Sequence, residues 1–241
     1  MSEPEQRSYD VAMSVEALAS AWARTEVAPA GSVVVAEREV SGRLRGGVPW
    51  TLGGVDALSM AIVVRPNIAP MQEALLWTAA TLAAAEALTT ATGIEHGVVW
   101  PDRIAASAKA EHACFVNVLV QLRPGAIDHA TISIRADLRV LGIEPTEPAR
   151  AALIETLSNA AKVSIELLEE DQVGLLARFS DRCLVMDERV QARLLPRGEA
   201  RGRVTAVDSD GFLVLESSTG MLERIAPASL RSLDLAEPPR P

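Results

Sequence analysis

The sequence predicts a mixed α/β (α+β) domain followed by a small β-barrel. In most of the chain β-branched runs alternate with alanine- and leucine-rich segments of helical periodicity, whereas after residues 195–198 short strand-like runs follow one another between Asp/Gly and Ser/Thr/Gly turns. A length of 241 residues and a hydrophobic fraction of 49% suffice for one sizeable core and a satellite domain. We therefore expect domains at residues 1–184 and 185–241, with a frayed, proline-rich tail at residues 237–241.

The first elements alternate between helix and strand. Apolar residues at helical spacing predict a helix over residues 11–24, with Ser14 placed to cap its free N–H groups. Two β-branched runs, at residues 32–36 and 57–66, predict buried strands. The segment between them, residues 41–54, holds five glycines and two arginines and therefore predicts a loop.

An alanine- and leucine-rich run after this second strand predicts a long helix that ends at about Thr92. Residues 73–91 are the best candidate for a membrane span, but Glu73 and Glu86 would lie in hydrocarbon at a high energetic cost. The run is therefore interpreted as a buried helix, and no membrane partner is expected.

The remainder of the larger domain is predicted to contain a short strand, a hairpin and two helices. Residues 97–101 form a brief apolar run that ends at proline, and the β-branched runs at residues 113–122 and 130–141 flank an Arg-Pro-Gly turn. Threonine followed by Glu-Pro is a helix-start signature that predicts a helix over residues 146–170. A second helix is expected to continue to Ser180.

Charge and cysteine content exclude several classes of function. The balance of 23 basic and 32 acidic residues gives a net charge of −9, the wrong sign for a protein that neutralises phosphates, so nucleic acid is not an expected partner. Lysine occurs only at Lys109 and Lys162. Cys114 and Cys183 provide neither a disulfide framework nor a zinc-ligand spacing, and the polar N-terminal segment lacks a secretion signal. We expect a cytoplasmic protein without a metal site.

The order of strand, Gly/Arg loop, strand, long helix and Trp-Pro corner resembles the catalytic domain of biotin protein ligases. Residues 34–37 (VVAE) match the lead-in strand of that family, and residues 100–101 match the middle of its K-W-P-N-D segment. These ligases also commonly end in a small β-barrel. Five residues match the family's loop pattern G-R-G-R-x-G-R-x-W: Gly42, Arg43, Arg45, Gly47 and Trp50.

This resemblance implies a mixed-sheet fold and a two-step reaction. ATP and biotin give biotinyl-adenylate, with Mg²⁺, and biotin then passes to a lysine of a biotin carboxyl carrier or related acyl-carrier domain. Homologous ligases often pair through an edge strand, so a homodimer is expected. Arg43 and Arg45 are the candidates that hold carboxylate and phosphate. The resemblance predicts these ligand-binding residues: Gly42, Arg43, Arg45, Gly47, Trp50, Trp100, Pro101 and Asp102.

Several positions depart from the family pattern at its charged groups. Val99 replaces the lysine of K-W-P-N-D, and a valine neutralises no phosphoryl oxygen. Asp102 and Arg103 replace the asparagine and the aspartate, and an added carboxylate at Asp102 repels an anionic adenylate unless Arg103 pairs with it. The loss of one such electrostatic element typically costs on the order of 10²–10³ in rate.

Further departures lie on the neighbouring strands. Glu39 stands where the family has a glutamine, Val48 replaces the third loop arginine, and the second family lysine falls near Cys114. The glycines of the family's G-I-G-I-N strand correspond to Ser133 and Arg135, whose side chains would enter the space in which a ligand approaches the backbone. The departures predict that ligation is impaired or lost.

Three hypotheses follow from these residues. The chain is a functional biotin ligase, or it is a catalytically inactive homologue that serves as a binding module for a small carboxylic acid, an acyl-carrier domain or another protein. A thiol acyltransferase that uses Cys114 is the third. The residue chemistry favours the second hypothesis. For the Gly/Arg loop, the alternative to anion binding is a solvated segment without a ligand. Residues 100–101 are interpreted first as a structural strand end.

Overall fold

Two β-sheets organise the chain in a computed structural model, which describes residues 3–236. The larger sheet has seven strands in the order β1-β2-β3-β7-β6-β5-β4, parallel between β1 and β2 and antiparallel elsewhere. Its strands are β1 (Gln6–Ala12), β2 (Val33–Glu39), β3 (Ala57–Val64), β4 (Gly97–Val99), β5 (Arg103–Ala105), β6 (Cys114–Arg123) and β7 (Ala126–Asp137).

The second sheet is antiparallel and follows the larger one along the chain. Its strand order is β11-β10-β9-β8-β12. A mixed α+β domain followed by a C-terminal antiparallel sheet is the predicted fold class, which the structure confirms. The sequence predicted three of these strands; the structure adds the first and last. The strands are β8 (Arg189–Leu194), β9 (Glu199–Val207), β10 (Leu213–Glu216), β11 (Leu222–Ile225) and β12 (Leu230–Leu235).

Four helices cover the larger sheet on its two faces. They are α1 (Val15–Thr25), α2 (Leu75–Thr92), α3 (Glu147–Glu170) and α4 (Gln172–Arg182). The main core includes the layer between one face of the sheet and helices α2, α3 and α4. Helix α1 packs on the opposite face, against alternate residues of β2 and β3. No helix in residues 3–236 is both long and apolar enough to cross a bilayer.

Sequence patterns located most elements, and the corrections have simple physical causes. The predicted start of the first helix was wrong, because Ser14 caps α1 at Val15 and the preceding residues form β1. Six of the seven residues of β1 are not buried, so the strand lacks the apolar alternation that a half-buried strand shows. The short strand β5 was also missed, and the predicted tail at residues 237–241 lies outside the described residues.

Strand β4 places the Trp-Pro corner next to the second sheet. The backbone N–H of Leu184 donates to the carbonyl of Val98 over 2.8 Å, and Val98 forms a parallel bridge with Cys183. Gly97 makes this approach possible, since a Cβ there would lie 2.5 Å from the carbonyl oxygen of Arg182. The chain that leaves α4 is therefore held against β4.

We expect Gly97→Ala to destabilise the protein by about 1–3 kcal/mol, because the added methyl group meets the backbone carbonyl of Arg182 as well as the side chain of Leu184. Urea denaturation followed by circular dichroism measures this change. Gly53→Ala is the matched control: Gly53 is extended, and its added Cβ meets the exposed Arg38 side chain, so a change within about 0.5 kcal/mol is expected. Equal losses for the two variants would contradict the packing argument.

Candidate functional site

A row of laterally paired residues crosses the larger sheet at the positions that the resemblance singles out. The register aligns Val99 with Arg103, Arg103 with Phe115, and Phe115 with Arg135. Arg135 in turn lies opposite Ser59, which lies opposite Ala36 on β2. Directly paired residues share a face of a sheet, and Ala36 belongs to the cluster around α1. The row therefore lies on the face that carries α1 and the Gly/Arg loop.

Arg135 and Glu39 form a buried ion pair at the middle of this row. Arg135 Nε donates to Glu39 Oε2 over 2.7 Å, and a second guanidinium nitrogen donates to Glu39 Oε1 over 2.9 Å. The two side chains are 1% and 0% exposed. Arg135 also donates to Ser133 Oγ, and the N–H of Val15 at the start of α1 donates to Glu39 Oε1. Both charges are thus bonded on several sides.

A second acidic side chain continues this network toward the surface. Glu16 Oε2 accepts hydrogen bonds from Asn117 Nδ2 over 2.5 Å and from Ser133 Oγ over 2.9 Å. Asn117 and Ser133 are opposite each other on β6 and β7. Together with the Glu39–Arg135 pair, these side chains form a polar network between the start of α1 and the sheet. The departures from the family pattern pointed to Ser133, Arg135 and Glu39 but not to Glu16 and Asn117, although the hairpin register pairs Asn117 with Ser133.

The Gly/Arg loop, residues 41–54, closes over the row through Trp50. The indole Nε1 donates to Ser59 Oγ over 3.2 Å, and the ring meets Phe115 edge to face with centroids 6.1 Å apart. Gly46 and Gly47 adopt positive φ values of 70° and 78°, which a glycine adopts without strain. Gly42 lies against the buried pair, since a Cβ there would be 2.8 Å from Glu39 Oε2.

The two loop arginines have different surroundings. Arg43 is exposed and donates to the carbonyl of Gly47 inside the loop over 3.0 Å. Arg45 instead reaches out of the loop: its Nε lies 2.9 Å from Asp102 Oδ2, and its terminal nitrogen donates to the carbonyl of Leu230 on β12. The side chains of Arg45 and Asp102 are only 12% and 9% exposed. Arg45 therefore connects the loop, the Trp-Pro corner and the second sheet.

Arg103 makes a second connection to the same strand. Its guanidinium donates to the carbonyl of Leu233 over 2.8 Å, and its Nε is 3.9 Å from Asp102 Oδ1. Burial raises the pKa of the Asp102 carboxyl above its ordinary value, and the charges of Arg45 and Arg103 oppose this rise. The predicted pairing of Asp102 with Arg103 is weaker than its pairing with Arg45, and Asp102 Oδ1 has no hydrogen-bond partner among residues 3–236.

A cavity of about 330 Å³ separates this corner from the second sheet. Val99, the residue at the family's lysine position, lies on its wall together with Arg103 and His112. Burial and the charge of Arg103 lower the pKa of His112, so its imidazole is neutral at pH 7. Lys109 is exposed on the adjoining turn. Trp100 and Pro101 are buried, in keeping with their interpretation as a structural strand end.

Cys114 lies in the main core rather than on the face of the row. It is 0% exposed, and burial raises the pKa of its thiol to about 12. Because the thiolate is the nucleophile, such a thiol is unreactive at neutral pH. These surroundings argue against the acyltransferase hypothesis.

Comparisons with known proteins agree with this architecture. The family described as biotin protein ligase C terminal domain matches residues 185–229. The bifunctional ligase/repressor BirA of Bacillus subtilis is 25% identical over 232 residues, which are 88% of this chain and 70% of that protein. The biotin protein ligase of Aquifex aeolicus in complex with biotin and ATP superposes with a TM-score of 0.76 at 18% identity, over 96% of this chain and 99% of that one.

The chain is similar to biotin protein ligases, through the family match at residues 185–229 and through its fold over nearly its whole length. Its fold is also similar to that of a biotin protein ligase-like protein of unknown function from Silicibacter, with a TM-score of 0.69 at 16% identity over 92% of this chain and 94% of that one. The ligase-like protein spans 64% of the length of a second BirA, from Bacillus spizizenii, at 25% identity. The predicted site residues thus lie on a ligase fold whose central row is filled by the protein's own side chains.

Replacing one member of the Glu39–Arg135 pair is expected to destabilise the protein much more than replacing both. Arg135→Met leaves the Glu39 carboxylate buried without its cation, which costs about 3–5 kcal/mol, whereas a double Glu39→Gln, Arg135→Met variant leaves no uncompensated charge. Urea denaturation of the four members of this double-mutant cycle measures the coupling. Additive losses would show that the two side chains do not stabilise each other.

Arg45→Gln is expected to loosen the Gly/Arg loop. The substitution removes the contacts of Arg45 with Asp102 and Leu230, and hydrogen exchange of amides in residues 41–54 should rise about tenfold or more, the factor that corresponds to about 1.4 kcal/mol. Arg43→Gln makes the same chemical change in the same loop but breaks only a short-range contact, so little change is expected. Equal exchange rates in the two variants would contradict the role assigned to Arg45.

Proposed function

We propose that this ligase-like protein does not form biotinyl-adenylate and serves as a binding module for a protein partner. The observation that carries the proposal is the buried Arg135–Glu39 pair at the centre of the row, where the family resemblance implies glycine and glutamine beside the ligand. An arginine side chain occupies the volume that a glycine would leave open. A ligand at that place would have to displace a fully buried ion pair.

The cations of the site support the same conclusion. Joining a carboxylate to a phosphate requires fixed positive charges directed at the reacting oxygens. Arg135 donates to Glu39 and Arg103 donates to Leu233, while Arg45 donates to Leu230 and forms an ion pair with Asp102. These bonds direct each guanidinium at a group of the protein itself. With Val99 at the lysine position, the residues do not fit an anionic adenylate.

Biotin, ATP and Mg²⁺ are the ligands that the resemblance implies for an active ligase. Structures of relatives contain the first two, as in the Aquifex aeolicus complex with biotin and ATP. In residues 3–236 of this chain, no group of three or more histidine, cysteine or acidic side chains is placed to hold a metal ion. We derive no adenylation step through these ligands, because the site residues do not complement them.

The retained architecture supports a binding role. Loss of the reaction removes the need for cationic residues in the site but not for the sheet, the ordered loop or the second sheet, all of which are present. A fold is able to change its function through a few side chains while its core is kept. A carrier domain is the partner suggested by the resemblance. The domain boundary at residue 184, a homodimer and a cytoplasmic location remain further proposals.

Pyrophosphate exchange tests the proposal directly. With biotin, ATP and Mg²⁺, the wild-type protein should give no exchange above a protein-free blank, while the Aquifex aeolicus ligase serves as the active control. Val99→Lys alone should also stay silent, because Arg135 and Glu39 still fill the row. Isothermal titration with biotin and with a biotin carboxyl carrier domain separates ligand loss from partner loss. Robust exchange by the wild-type protein would show that the chain is a functional ligase.

A further inference from the structure

A long groove runs beside α3 on the sheet face opposite the candidate site. Helices α2 and α3 cover the strands from β3 to β6, but the edge formed by β1 and β2 extends beyond α3. Two adjoining cavities of about 380 and 450 Å³ lie between α3 and this uncovered edge of the sheet. They share three lining residues, Pro4, Gly31 and Ser158, and therefore adjoin; the two cavities together are called the groove.

One face of α3 forms the wall of this groove over nearly its whole length. The lining residues begin at Glu147 and end at Glu169, and Ser158 lies at the middle, where the two cavities meet. At a rise of 1.5 Å per residue this wall is about 33 Å long. A helix of about 20 residues has the same length and is the element that normally covers a sheet beside another helix.

The floor of the groove is apolar. Val33 on β2 and Ile62 and Val64 on β3 line it from the sheet, and Ile154 and Ile165 line it from α3. All five side chains are less than a tenth exposed. The floor therefore presents a small apolar area, which a partner helix that docks here would contact with an apolar stripe.

The rim of the groove is acidic. Glu5, Glu147 and Glu155 are exposed and form no ion pair within residues 3–236, and Glu166 and Glu169 extend the rim along α3. Two basic residues also line the groove. Arg65 donates to the backbone carbonyls of Ala23, Ala28 and Asp128, which hold its guanidinium inside the protein. Lys162 is exposed and pairs with Glu166 at 3.9 Å, so it offsets one of the five glutamates.

We propose that this groove binds a basic amphipathic α-helix of a partner protein. An apolar stripe on the helix contacts the floor, and lysine or arginine side chains beside the stripe meet the glutamates of the rim. The inference deepens the proposed function, because it assigns a surface and a partner chemistry to the binding module. The surface is separate from the row of Arg135 and Glu39, since it lies on the other face of the sheet.

A labelled model peptide tests this assignment on the full chain. Fluorescence anisotropy is measured with a helical peptide of about 18 residues in which leucine and lysine alternate at helical spacing, and with the same peptide carrying glutamate for lysine. We expect the lysine peptide to bind the wild-type protein and the glutamate peptide not to bind. Equal binding of the two peptides would overturn the charge argument.

Matched substitutions on neighbouring residues of α3 locate the binding surface. Ser158→Arg introduces a long cation at the middle of the groove and should weaken binding about tenfold or more, whereas Asn159→Arg adds the same charge at an exposed position that does not line the groove. If Ser158→Arg fails to fold by circular dichroism, Glu155→Lys on the exposed rim replaces it, with an expected loss of about threefold. Equal affinity of the groove and control variants would overturn the proposal.

The oligomeric state and the ligation assay give the remaining outcomes. Sedimentation that shows a dimer abolished by Ser158→Arg would mean that a second copy covers the groove, and would overturn the partner assignment. Pyrophosphate exchange is independent of this surface. Active exchange with peptide binding at the groove would refute only the proposed function, while silent exchange without peptide binding would refute only the helix-binding groove.

Discussion

The structure depends most on the neutralisation of one buried guanidinium. Arg135 and Glu39 are withdrawn from water at the centre of the larger sheet, and burying either charge alone would cost several kcal/mol. The pair is tolerated because two hydrogen bonds join its members, the N–H of Val15 satisfies Glu39, and Ser133 accepts from Arg135. This requirement fixes the start of α1, the end of β2 and the conformation at Gly42, which has no side chain to collide with Glu39. The site is consequently organised around its own charges.

Two arginines connect the Gly/Arg loop and the Trp-Pro corner to the second sheet. Arg45 and Arg103 donate to carbonyls of β12, the last strand of the second sheet in the described part of the chain, and an edge strand has carbonyl groups without a strand partner. Asp102 lies between them and balances part of their charge. The Gly/Arg loop, which its glycines would make flexible, is thereby held against the Trp-Pro corner and the second sheet. A guanidinium suits this arrangement because its several donors lie in a fixed plane.

Fold and chemistry depend on different residues in this protein. The ligase architecture extends over nearly the whole chain when it is compared with solved ligases, although identity to them is below a fifth. An apolar core tolerates many substitutions that keep volume and pattern, whereas catalysis of an anionic reaction depends on a few charges at defined places. A valine at position 99 and an arginine at position 135 are compatible with the first condition, and the proposed function rests on their not meeting the second. A surface for partner recognition, by contrast, needs only apolar area and complementary charge.

The sequence by itself determined the type and order of most elements, because apolar periodicity and turn residues act over a few neighbouring positions. It predicted α3 from its threonine and proline start, and the β6–β7 hairpin from its Arg-Pro-Gly turn. It missed β1, whose exposed residues carry no alternation. Only the tertiary structure decided which charges meet: Glu39 and Arg135 are 96 residues apart, and Arg45 and Leu230 are 185 residues apart. A pattern shows that a side chain is charged, but its partner depends on strand order and loop path, which bring distant segments into contact.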